Sequence, residues 1–195
     1  MKGMGRPREF SEEEVLDAAL EAFWSRGFEA TSVQDLVDAT GLSRASLYGA
    51  FGDKEALFEA VLAHYAARTA RIARELEEAP SARAGIERFM LRFVEGASAP
   101  GGPRGCFMQL SVSECQPARP AVARAAAEGA RQTEEGLLRA LQRGKKAGEL
   151  PASLEAKATA RLLAVTLQGV AAAARAGRSR EELREVVRQA VRLLG

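Results

Sequence analysis

Residues 31–54 read TSVQDLVDATGLSRASLYGAFGDK, two short helical stretches that meet at Gly41. Thr31 and Ser32 stand where a helix N-cap is needed, and Asp35, three after Ser32, is placed to close a capping box. Val33, Leu36 and Val37 then recur at helical spacing and form one apolar face. Gly41 follows, the residue that leaves a helix sharply because it takes a positive φ without strain. Leu42 fills the angle between the two stretches, Ser43 caps the second, and Leu47 and Phe51, four apart, face inward. Arg44, Ala45, Ser46 and Tyr48 are left on the outer side, near the N-terminal end of the second helix. This is the pattern of a helix-turn-helix whose second helix lies in a major groove. It points to double-stranded DNA.

Working outward, AALEAFWSRGFEATSV leads into DATGLSRASLYGAFGDKEALF, with Leu47-Tyr48, Phe51 and Lys54 in fixed spacing. On these segments the run from Phe10 to about Leu62 resembles the DNA-binding region of the TetR family of bacterial one-component transcriptional regulators. The GCFMQLS stretch at 105–111 is similar to one found in some members. The resemblance implies an all-α fold: a three-helix N-terminal head and a C-terminal helical domain for ligand binding and dimerisation. It implies a regulator, most simply a repressor, that a small-molecule effector releases from a palindromic operator. It also implies residue roles. Tyr48 and Lys54 match positions that contact phosphates, Arg44 and Ser46 match base-facing ones, and Gln34 matches a further contact position. Ser43 and Ala45, at the same helix start, complete the candidate set. Gly49 and Ala50 are smaller than many members carry there.

At 195 residues the chain has room for such a head and a larger core-bearing domain. No apolar run approaches the ~20 residues of a membrane span, and no hydrophobic signal segment opens the chain. A cytoplasmic protein is expected. Heavy use of Ala and Arg with few β-branched residues favours helix throughout. The formal net charge of +2 is unevenly spread. Residues 1–55 hold six Lys and Arg against eleven Asp and Glu, a net of −5, and residues 56–195 carry the compensating +7. An acidic head binds DNA through local geometry: helix N-termini, hydroxyls and a few placed cations. Glu12, Glu13 and Glu14 open the first helix, where carboxylates suit the dipole.

The domains are read as 1–55 and 56–195, with residues 1–9 a flexible basic arm. Its Gly-Arg-Pro places Arg6 as a candidate for a narrow minor groove, against the alternative of a frayed terminus. Ser11 and Glu14 make a capping box for a helix that stops at Gly27. A helix from Lys54 to about Glu78, ~37 Å at 1.5 Å per residue, spans both domains as a rigid lever. Further helices are expected at 81–97, 106–115, 120–146, 153–176 and 180–194, with a Gly- and Pro-rich loop at 96–105.

A sensor pocket is expected between the long helix and the three after it, with Phe89, Met90, Phe93, Phe107, Met108 and Leu110 as walls and Gln109 as a polar tether. Plain core packing is the alternative for each apolar residue. Arg92 and Arg104 are further candidate tethers. Leu154, Ala158, Leu162, Leu163, Val165, Leu167 and Val170 are read as one apolar face, and Leu183, Val186, Val187, Ala190, Val191 and Leu194 as another. With the small residues at Gly169 and 171–174, the segment 153–194 is the expected homodimer seam. Cys106 and Cys115, nine apart on a continuous helix, are separated by ~13.5 Å of rise, beyond the ~7 Å limit for a disulfide. With His64 alone elsewhere, neither a metal site nor a cofactor is expected and the thiols are read as buried or idle, the alternative being an intersubunit disulfide or a soft-metal sensor. One histidine, no phosphate loop and no nucleophile–base set argue against an enzyme. The remaining alternative is a helical adaptor that keeps the motif only for packing.

Overall fold

The computed structural model describes residues 11–115 and 120–195, and among these the regular structure is entirely α-helical. The expected arm at 1–9, with Arg6, lies outside the described residues. Helix α1 spans Glu12–Arg26, α2 Val33–Thr40, α3 Arg44–Phe51 and α4 Lys54–Glu78. They are followed by α5 Ala82–Ala97, α6 Phe107–Cys115, α7 Pro120–Lys146, α8 Ala156–Arg175 and α9 Arg180–Arg192. Ser11, Ser32 and Ser43 accept a backbone N–H as the N-caps expected of them, and Asp53, Ser81 and Ser179 do the same for α4, α5 and α9. Thr31 does not cap. It is fully buried and donates instead to the Gly27 carbonyl at 2.6 Å, tying the α1–α2 turn together.

Two hydrophobic clusters organise the chain. The first joins Val15, Leu20 and Phe23 of α1 to Leu36, Leu47 and the first turns of α4, from Leu57 to Tyr65. The second gathers Leu76 with the buried faces of α5, α7, α8 and α9. Helix α4 therefore carries one cluster at each end, and the packing changes hands within it, between Tyr65 and Leu76. Phe107, Met108 and Val122 join the first cluster, so α6 and the start of α7 rest on the head.

The faces of α8 divide differently from the single wide stripe expected. Leu163, Leu167 and Val170 turn into the second cluster, whereas Leu162 is 49% and Val165 56% exposed. The helix begins at Ala156, so Leu154 stands ahead of it. On α9, Leu183, Val187 and Val191 are buried, and Val186 faces outward at 48% exposure. Of the small residues, Ala171 and Ala174 are buried while Gly169 and Ala172 are exposed.

The N-terminus of α5 is capped twice. Ser81 accepts from Ala84, and Glu149, from the loop after α7, accepts from the backbone N–H groups of Ala82 at 2.7 Å and Arg83 at 2.9 Å and from the Ser81 hydroxyl. The Ser81 hydroxyl first, then the Arg83 amide, holds the Glu149 carboxyl below the usual range. A depressed carboxyl stabilises the fold above the ordinary glutamate range, and that contribution disappears as pH falls through the lowered value. Glu149→Ala is expected to cost about 1 kcal/mol, as loss of a helix cap does. The loss should be seen in denaturant midpoints at pH 7 and should shrink in acid. Equal differences at both pH values would contradict the assignment.

Candidate DNA interface

The motif is built from its caps outward. In α2, Ser32 accepts from the Asp35 N–H at 3.1 Å, and Asp35 accepts from the Ser32 N–H at 2.8 Å. Hydrogen bonds from the Ser32 side chain and backbone, with Arg26 adding its charge, lower the Asp35 pKa. Gly41 closes the helix at φ 69°, ψ 7°, donating to the Val37 carbonyl at 2.9 Å. Thr40 is buried, its hydroxyl bonded to Leu36 O at 2.7 Å. Leu42 packs against the first cluster and sets the angle at which α3 leaves.

Helix α3 is anchored by Leu47, fully buried, and by the half-buried Phe51. Ser43 accepts from the Ser46 N–H at 3.1 Å, and the two hydroxyls lie 2.9 Å apart. Arg44, Ala45 and Ser46 are exposed and adjacent at the α3 N-terminus, and Tyr48 is half-buried one turn on. The structure thus brings Ser43, Arg44, Ala45, Ser46 and Tyr48 onto one short helix. Lys54 opens α4, half-buried, with its ammonium 4.4 Å from the centre of the Phe28 ring. A cation over an aromatic face is attracted by the ring quadrupole. Gln34, exposed on α2, donates to Asp38 at 2.8 Å. Sequence reasoning had no role for Phe28, although the Gly-Phe pair ending α1 marks the place where an aromatic could enter.

The expected sensor walls divide between the two clusters. Phe89 and Met90 are buried in the second cluster, with Phe93 partly buried against it. Phe107 and Met108 are buried in the first cluster, among Phe58, Trp24 and Tyr65, and Gln109 is exposed on α6. The loop at 98–106 precedes an α6 whose Phe107 and Met108 pack with the head, which separates them from Phe89, Met90 and Phe93. Arg104 is committed to carbonyls, donating to Ala174 at 2.8 Å and Arg178 at 2.6 Å. Arg92 lines a shallow depression on α5 with Ala84, Glu87, Arg88, Leu91 and Glu95. Cys106 is a free thiol 3.6 Å from the Tyr65 hydroxyl, whose pKa burial, and then the thiol beside it, push well above the ordinary value. His64 pairs with Asp17 at 2.8 Å and joins α4 to α1. Among the described residues no group of three or more His, Cys, Asp or Glu could hold a metal ion.

Comparison with known proteins decides what this arrangement belongs to. Residues 15–61 match the family model described as bacterial regulatory proteins, tetR family, and residues 82–190 match the tetracyclin repressor-like C-terminal domain. The chain belongs to the TetR family. It is 32% identical over 194 residues to the HTH-type transcriptional repressor ComR of Escherichia coli K12, covering 98% of this chain and 92% of that one. The TetR family regulator CifR, as a cysteine mutant in complex with 26-bp operator DNA, superposes with a TM-score of 0.85 at 33% identity, covering 97% of this chain and all of that one. The reduced form of E. coli NemR gives 0.78 at 26% identity, over 91% and 93% of the two chains. As a TetR family member the protein is a helix-turn-helix transcriptional regulator that binds DNA, and not an enzyme. The adaptor alternative falls with that result. Among the described residues no helix is long and apolar enough to cross a membrane.

Proposed function

We propose that the protein is a cytoplasmic homodimeric repressor that binds a palindromic operator and is released from it by a small-molecule effector. The observation that carries the reading is the exposed, capped N-terminus of α3, with Arg44, Ala45 and Ser46 free to meet base edges. Ser43, Tyr48 and Lys54 flank it as phosphate contacts, Gln34 supports it from α2, and Arg6 is assigned to the minor groove. Repression is the role that the name of ComR carries.

A palindrome requires two heads related by a two-fold axis. Ala158, Leu162, Val165, Gly169 and Ala172 are all exposed on α8, at alternating steps of four and three. That is the spacing of a helix–helix seam. A Cβ at Gly169 would meet no atom within 4 Å in this chain, which leaves room for a partner helix. Val186 and Leu193 extend the apolar surface on α9, in keeping with dimerisation through about 153–194. For the effector, Phe89, Met90 and Phe93 are the walls retained, at the α5 side of the second cluster. Phe107, Met108 and Gln109 are reassigned to α6, between that domain and the head. Effector coupling of ~1–3 kcal/mol, passed to the heads through α4, alters affinity 5–150-fold.

Genome-wide selection of DNA fragments by the purified protein tests the reading, with recovery of a palindrome as the expected result. Tyr48→Ala and Lys54→Ala should each weaken binding to that fragment roughly tenfold, and Lys54→Ala alone, which removes a charge, should reduce the salt slope by about one. The dimer should be unaffected by either change. Wild-type affinity in both variants would remove these residues from the interface.

A further inference from the structure

Helix α6 ends against the head. Glu114, the residue before its last, accepts a hydrogen bond from the backbone N–H of Phe28 at 2.8 Å, across 86 positions of sequence. The carboxylate sits where glycine at residue 27 leaves the backbone bare. A Cβ on Gly27 would stand 2.1 Å from Glu114 Oε1, and the φ of +86° disfavours any other residue there. The bond to Phe28 and the close approach to Gly27 together place this carboxylate just past the end of α1.

What Glu114 holds is the residue that supports a DNA-facing cation. The Phe28 ring lies under the Lys54 ammonium at 4.4 Å and meets Phe58 edge-on at 4.7 Å. Lysine carries a flexible four-carbon stem, so a ring beneath its head group narrows where the charge resides. The segment leading into α6 is gripped from the opposite side. Arg104 donates to carbonyls of Ala174 and Arg178 at the end of α8, and Arg180 donates to the Ser98 carbonyl at 2.7 Å. The stretch from Ser98 to Glu114 thus runs from the α8–α9 hairpin to the head, a connection separate from the α4 lever.

We propose that Glu114 is a positioning residue for DNA binding, which couples α6 to Lys54 through Phe28. The proposal rests on the reading of Lys54 as a phosphate contact. A shift of α6 breaks or drags the Glu114–Phe28 bond, moves the ring, and releases the lysine from its place at the backbone. Glutamine at 114 keeps an acceptor oxygen and preserves the link.

The test uses the full chain and the operator fragment recovered by selection, with amide exchange at Phe28 read on the free protein. Glu114→Ala is expected to speed Phe28 exchange, to weaken operator binding about tenfold, and to make the salt slope shallower by about one charge. Dimer mass should stay unchanged, and any fall in thermal midpoint should be no larger than the loss of one hydrogen bond accounts for. Glu114→Gln should restore both exchange protection and affinity. In a Lys54→Ala background, Glu114→Ala should cost nothing further, because two residues acting through one contact are not additive. An unaltered salt slope, or losses that add in the double variant, would overturn the proposal, and so would a lowered midpoint with the slope intact. Failure of the underlying reading looks different: Lys54→Ala would bind as the parent does, or the parent would select no operator, and the proposal would fall with it.

Discussion

Replacing Val165 by glutamate is expected to yield a folded monomer that no longer retains operator DNA. Val165 is 56% exposed and central to the outward stripe of α8, so the substitution adds a carboxylate to a surface that is solvated in the single chain. Changes at such positions usually alter intrinsic stability by no more than about 0.5 kcal/mol. In a two-fold seam the same residue faces the partner's stripe, and both copies bring an unpaired charge into an apolar contact. Breaking or stranding a buried charge costs about 3–5 kcal/mol, enough to dissociate a modest dimer at working concentrations. Loss of the second head removes the effective-concentration gain of bivalent binding, on the order of a hundredfold or more. Sedimentation gives the mass and a binding titration gives the affinity. A dimer that persists with full affinity would move the seam elsewhere on the molecule.

The second large effect is expected at Phe58. This α4 residue is 2% exposed, with its ring centre 5.0 Å from that of Phe23, 4.7 Å from Phe28 and 5.8 Å from Phe107. It is the point where α1, the α1–α2 turn, α4 and α6 meet. Truncation of a buried phenylalanine to alanine costs about 3–5 kcal/mol through lost transfer energy and the cavity left behind. A small head has little stability in reserve. Phe58→Ala should therefore unfold the head at a lower temperature than the second cluster and abolish operator binding, while the chain still dimerises through α8 and α9. Calorimetry resolves this as two transitions in place of one. A single transition at the parent's midpoint would show that the aromatic cluster does not hold the head.

How far the sequence could be read follows the range of the interactions concerned. Ser32 with Asp35, Gly41, and Ser43 with Leu47 act within one or two turns, and each is found in the role that its spacing assigned. The long helix from Lys54 to Glu78 was equally legible, because a helix declares itself by a period shorter than its own length. Thr31 shows the limit even at short range. As a hydroxyl ahead of a helix it had the chemistry of a cap, yet burial turned it back onto Gly27 O. The placing of the expected sensor walls was illegible for a larger reason. Phe89, Met90, Phe107 and Met108 have the same apolar signature, and only the turn ahead of α6 divides them between two clusters.

By itself the sequence determined the helices, their caps, the helix-turn-helix and the membership that makes this chain a DNA-binding regulator. Those depend on neighbours a few residues apart, whose spacing is written directly in the chain. Only the tertiary structure decided which face of α8 turns inward, since Leu162 and Leu163 are equally apolar and adjacent but end on opposite sides. It alone placed Phe28 beneath Lys54 and Glu114 against the Phe28 amide. Contacts across 26 and 86 positions leave no periodic trace, because they are set by how packed helices bring distant residues together.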